Sequence, residues 1–284
     1  MTENEPLIRN ISDTARWVAT YRAQESARPD AVFSDPYAKR LAGERGEQIA
    51  ALMPFKDKNA WPFVARTYSF DAIVTRLVKG DVDTVINLAA GLDARPYRMQ
   101  LPATLKWFEV DLPGILDYKE EILRDDRPVC LLERIRCDLS DVSARRELFS
   151  NLGSRAGRAL VLTEGLISYL SAEEVGALAR DLAAPASFQY WANDLGSPGL
   201  LKMLQKRVGP HLSAASAPLK FGPPEGPDFF IPFGWKPADV QSVLKVAGRL
   251  KRLPFFLQLL AYLPESKGHQ GKRFWSGVCL FTKS

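Results

Sequence analysis

This chain is poor in the residues that most often announce a chemistry. In 284 residues it has two histidines, His211 and His269, and three cysteines, Cys130, Cys137 and Cys279. The cysteines are scattered without a C-x-x-C pair, which argues against a zinc site or a disulfide framework and suits a reducing compartment. No apolar run reaches the roughly 18–20 residues that a bilayer span requires. The acidic start Met1-Thr2-Glu3-Asn4-Glu5 has no signal-peptide core, so a cytoplasmic protein with no membrane partner is expected. The formal charge of +5 is spread along the chain. Its one short basic cluster, Lys202, Lys206 and Arg207, reads as a solvated helix face, so no nucleic-acid partner is expected.

One segment stands out against this background. Val82, Val85, Ile86 and Leu88 form a short apolar run that leads directly into the small residues Ala89, Ala90 and Gly91. The run reads as a buried parallel strand, and the small residues after it let a ligand approach the backbone. About 20 residues past the turn comes the next strand, Leu105 to Asp111, ending in an acid of the kind that accepts hydrogen bonds from a ribose. The dinucleotide fingerprint G-x-G-x-x-G is incomplete, because its glycine positions read Ala89, Gly91 and Ala94. That disfavours NAD and FAD, whose pyrophosphate needs the missing glycines, and leaves an adenosyl ligand without phosphates.

The rest of the chain alternates. The first eighty residues read as helices, with Ser12 or Asp13 capping the first and Asp35-Pro36 opening the second. A helix over about 59–79 carries Phe63, Phe70, Ile73, Val74 and Leu77 as an apolar stripe with Arg66 inside it. An inward guanidinium needs a buried anion, either a structural acid such as Asp71 or a bound carboxylate. Strands near 129–137, 159–163 and 188–192 alternate with helices after Pro113, near 141–151 and after the Ser171–Glu174 capping box. This pattern predicts a doubly wound α/β sheet with ligands at the carboxyl ends of the strands. Gly91, Asp111, Asp138, Glu164 and Asp194 all fall at such ends.

The segment Asn87 to Arg98, NLAAGLDARPYR, resembles the signature of the leucine carboxyl methyltransferase superfamily, whose bacterial branch includes O-methyltransferases of polyketide pathways. Four further blocks agree in order: Ser12–Ala15 through Tyr21–Ser26, Asp35–Ala38, Glu109–Pro113 and Thr163–Leu170. The similarity spans about residues 10–195 and returns in the final strand. It implies a class I methyltransferase fold, Rossmann-like, with an N-terminal helical extension, an insertion near the C-terminal end of the sheet, and an antiparallel last strand. The expected organisation is a single domain: a helical part (1–80), a cofactor-binding core (81–195), a substrate cover (196–235), and a C-terminal helix with closing strands (236–284).

The resemblance also implies the cofactor, S-adenosylmethionine, and roles for residues of this sequence. Ala89 and Gly91 would border the methionyl and ribose part, with Ala89 where the family has glycine. Arg66 would take the methionyl carboxylate and Glu164 the ammonium. Asp111 would hold the ribose, while Asp138 would accept from the adenine amino group with Leu139 against the ring. Asp93 and Arg95 belong to the signature, and a mutual pair that fixes the loop is the simpler reading. The expected acceptor is a small molecule bound near Tyr21, Arg22 and Tyr169. No metal is called for and no catalytic residue is assigned. Neither histidine sits at a strand end, which favours an already ionised carboxylate acceptor over a hydroxyl. A hydroxyl methyltransferase and a non-catalytic cofactor-binding protein remain as alternatives.

Overall fold

A computed structural model describes residues 11–53, 60–209, 218–264 and 271–284. Among these residues the centre is a seven-stranded sheet in the order β3-β2-β1-β4-β5-β7-β6. Its strands are β1 (Thr84–Leu88), β2 (Lys106–Asp111), β3 (Leu131–Arg136), β4 (Ala159–Thr163), β5 (Phe188–Gly196), β6 (Trp235–Ser242) and β7 (Ser276–Lys283). Strands β1 to β5 pair in parallel, and β7 runs antiparallel between β5 and β6. All five residues of β1 and of β4 are buried, as expected of central strands covered on both faces.

Side chains that alternate along the strands divide between two apolar layers. Ile86, Leu88, Phe108, Val110 and Val161 pack on one face against α6 (Val142–Arg155) and α7 (Ala172–Ala183). Val85, Trp107, Leu160 and Leu162 pack on the other against α3 (Trp61–Val78) and α9 (Val243–Arg249). The stripe predicted for α3 is the buried one, with Phe70, Ile73 and Val74 at most 1% exposed. The remaining helices are α1 (Ile11–Ser26), α2 (Ala38–Leu52), the single turn α4 (Arg95–Arg98), α5 (Pro113–Ile122), α8 (Pro198–Arg207) and α10 (Phe255–Tyr262).

Several boundaries differ from expectation. Asp13 lies within α1 rather than capping it, and its carboxylate accepts from Arg45 Nε and Nη2, each at 3.0 Å. Asp35 does not cap α2, which begins at Ala38; its carboxylate accepts instead from Arg22 Nε at 2.9 Å and from the Tyr37 N–H at 3.2 Å. The Ser171–Glu174 capping box forms as expected, with both reciprocal hydrogen bonds present. The stretch 196–235 is no simple loop. It contains α8, capped by Ser197 with Pro198 in its first turn, and a 3₁₀ segment over Gly226–Phe233.

Candidate functional site

The site begins where β1 ends. Register places Leu88 beside Val110, so the turn after β1 lies against the last residue of β2. Gly91 has φ of +49°, and a Cβ built on it would stand a tight 3.2 Å from Ala15 Cβ, so α1 packs closely on this turn. Its N–H donates to Asp111 Oδ2 at 2.7 Å, and the Leu112 N–H donates to Oδ1 at 2.7 Å. Burial pushes the Asp111 carboxyl upward, and these two N–H donors only partly offset that. Ala89 adopts φ of +52°, a left-handed conformation that costs a residue with a Cβ about 1–2 kcal/mol. The alanine that replaces the family's glycine is therefore accommodated as local backbone strain.

A charge network continues the site across the strand ends. Arg66 Nε donates to Glu164 Oε1 at 3.0 Å, and Nη1 donates to Asp194 Oδ2 at 3.1 Å. The expected structural partner Asp71 belongs to other arginines: it accepts from Arg95 Nε at 2.6 Å and from Arg98 Nη2 at 2.7 Å. Arg95 also contacts Glu164 at 2.9 Å and pairs with Asp93 at 2.7 Å, so the Asp93–Arg95 pair does fix the loop. Burial would weaken the charge of both Arg66 and Arg95, but their carboxylate neighbours outweigh it and raise both. Burial would likewise raise Asp93, yet Arg95, Lys119 and Arg98 bring it down to about 2. Asp194 also accepts the Gly165 N–H at 2.6 Å, at a position with φ of +73°. It anchors the turn after β4 and Arg66 together.

These groups form one wall of a cavity of about 1100 Å³. Ala89, Gly91, Asp111, Asp138, Leu139 and Glu164 line it at or just past the strand ends, while Asn87 and Asp194 line it from within β1 and β5, which continues to Gly196 rather than ending near residue 192. Asp138 sits in the turn after β3, where its carboxylate accepts the Ser140 N–H at 2.9 Å. A second part of the lining is apolar and comes from Trp61 and Phe63 of α3, Leu200 and Leu204 of α8, Leu219, Phe221, and Leu257 and Leu260 of α10. The segment 196–235, expected as a substrate cover, does contribute to this lining; that it does so through the apolar face of a helix was not expected, although Ser197-Pro198 is a helix-start signal and Leu200, Leu201, Leu204 and Val208 recur at helical spacing.

The expected acceptor residues fare unevenly. Tyr169 lines the cavity, where burial raises its hydroxyl while Thr14 and Arg66 act in the opposite direction. Arg22 also lines it, but its guanidinium is engaged in the structure, donating to Asp35 and to the Leu92 carbonyl at 2.6 Å. Tyr21 does not line it: it is 1% exposed, stacks on Phe63 and packs edge-on to Trp17, behind side chains that do line the cavity. The aromatics at 229–233 pack mainly on Trp191, Phe221 and Phe281, as a plug in the core. His211 and His269 lie outside the described residues. Among the described residues no cluster of metal-ligating side chains occurs, and no helix is long and apolar enough to cross a membrane.

Comparison with known proteins agrees with this geometry. The family model of leucine carboxyl methyltransferase matches residues 15–183. A Frankia alni protein provisionally named as an S-adenosyl-L-methionine-dependent methyltransferase is 34% identical over 236 residues, covering 78% of this chain and 82% of its own. A Streptomyces coelicolor protein of the same provisional name is 32% identical over 237 residues with the same coverage. Among solved structures, a DUF574 family protein from Streptomyces avermitilis superposes with a TM-score of 0.58 at 13% identity, covering 95% of this chain and 97% of its own. A Thermobifida fusca protein provisionally described as a methyltransferase gives 0.54 at 15% identity, covering 98% and 96%. At such identities the structural likeness is one of fold alone. On the family model and these relatives, the chain belongs to the leucine carboxyl methyltransferase family.

Proposed function

We propose that this protein transfers the methyl group of S-adenosylmethionine to the carboxylate of a small molecule. The polar wall fits the cofactor on its own chemistry. Ala89 and Gly91 keep the turn after β1 free of bulky side chains, and Asp111, Asp138 and Glu164 present acceptors at the ends of β2, β3 and β4. Bound there, S-adenosylmethionine supplies a methyl carbon activated by its sulfonium. Asp111 would hold the ribose hydroxyls, Asp138 would accept from the adenine amino group, and Leu139 would pack on the ring. Glu164 would receive the methionyl ammonium. Arg66 uses Nε and Nη1 for Glu164 and Asp194, which leaves Nη2 available for the methionyl carboxylate.

The choice of a carboxylate acceptor rests on the state of the groups around the cavity. Arginines hold Glu164, Asp93 and Asp194, backbone N–H groups hold Asp111, and burial raises the Tyr169 hydroxyl. These carboxylates are committed to holding the site and the cofactor rather than to taking a proton from an acceptor. A carboxylic acid with a pKa near 4 needs no such base at neutral pH, whereas a phenol near 10 does. The chain's contribution is then to orient the two reactants and exclude water, effects worth roughly 7–11 kcal/mol when the geometry is right. The test is transfer of a labelled methyl group from S-adenosylmethionine to panels of carboxylic acids and of phenols. The expected product is an ester whose label mild alkali releases. Label found only in alkali-stable ethers would overturn the carboxylate reading and establish a hydroxyl methyltransferase.

A further inference from the structure

The two walls of the cavity differ in what they offer a second molecule. At about 1100 Å³ the cavity exceeds the roughly 300–1,000 Å³ of an ordinary single-ligand pocket, so it has space for an acceptor beside the methyl donor. Apolar side chains of α8 and α10 bound part of this cavity. The same apolar surface continues out to solvent. Phe256, Leu260, Leu263 and Phe274 line the cavity and are 74%, 45%, 57% and 72% exposed. Large apolar side chains grouped this way at a pocket mouth mark a place where apolar matter is bound. The helical segments that supply most of these apolar side chains carry cations and no acids. Residues 198–209 and 243–264 contain no acid, and Arg207 and Lys245 from these segments reach the cavity. Such a set of cations raises the local concentration of anions.

We infer that the acceptor is an amphiphilic monocarboxylate with an extended apolar body, which lies along α8 and α10 and emerges at the mouth. This rests on the methyltransferase reading above and narrows it to a substrate class. Short or polyhydroxylated acids leave the apolar wall wet and are poor ligands. The probe is the straight-chain series butyrate, octanoate, dodecanoate and hexadecanoate. Each is titrated calorimetrically into the protein saturated with S-adenosylhomocysteine and then assayed for methyl transfer.

Affinity is expected to rise about fourfold per added methylene until the chain fills the cavity. Methyl ester should form on the longer acids. Leu260→Asp, at an exposed position that does not threaten folding, should flatten that dependence while leaving the affinity for S-adenosylmethionine unchanged. Affinity that is flat or falls with chain length, with S-adenosylmethionine still bound, would overturn the inference. So would a chain-length dependence that survives Leu260→Asp intact. Failure of the wild type to bind S-adenosylmethionine would instead remove the methyltransferase reading beneath it.

Discussion

The two walls of one cavity are built on different principles. The polar wall consists of strand ends, backbone N–H groups and an interlocked set of arginines and acids, so each group's position is set by several partners. Glu164 is held by both Arg66 and Arg95, and Asp194 by Arg66 and the Gly165 N–H. The apolar wall consists of helix faces that come together from distant parts of the chain, and part of it is open to solvent. The first wall is rigid and specific, suited to one invariant donor. The second selects by shape and burial, which suits an acceptor chosen by hydrophobicity.

The comparison can be broken most forcefully at Arg95. Its side chain is 3% exposed and contacts Asp71, Asp93 and Glu164, so Arg95→Ala leaves three carboxylates short of their cation. A loss of about 3–5 kcal/mol of stability is expected in urea unfolding. A loss below about 1 kcal/mol would mean that the network is not what fixes the polar wall.

Acid acts on the same network. Asp93 titrates at about 2 in the folded protein against an ordinary value near 3.8. A lowered folded value means that the contribution is complete above about pH 4 and is lost as pH falls through about 2. It amounts to about 2–3 kcal/mol at neutral pH, and Asp93→Asn should remove that part of the acid dependence of unfolding.

Asp111 sharpens the comparison in the binding step. Asp111→Asn keeps the shape but loses the charge, and should weaken S-adenosylmethionine binding about 10- to 100-fold by calorimetry. Since burial raises this carboxyl, affinity in the wild type should begin to fall on acidification at a higher pH than an ordinary aspartate would give. The smallest effect belongs to Ala89. Ala89→Gly relieves a positive φ but adds freedom to the unfolded chain, for a net gain of about 0.5 kcal/mol in thermal unfolding.

How much of this could be read in advance follows the same division. The polar wall was legible because its parts are local: a strand, a turn of small residues and an acid at a strand end recur at short, regular spacing. Even there the partners were not legible. Arg66 meets Glu164 and Asp194 from 98 and 128 residues away, while the nearer Asp71 goes to Arg95 and Arg98. Sequence spacing cannot report such tertiary pairing. The apolar wall was largely illegible. A stripe such as Leu200, Leu201 and Leu204 has the same pattern whether it faces a core or a cavity, and the cluster Phe255–Tyr262 is exposed rather than buried. Tyr21 shows the converse, a residue inside a family block that serves packing.

The most direct test of the division between the walls is calorimetric titration of S-adenosylmethionine into the wild type, Arg66→Ala and Leu260→Asp, each verified as folded. The account predicts micromolar binding by the wild type, its loss in Arg66→Ala and its retention in Leu260→Asp. A folded wild type that does not bind, or a Leu260→Asp protein as impaired as Arg66→Ala, would contradict it.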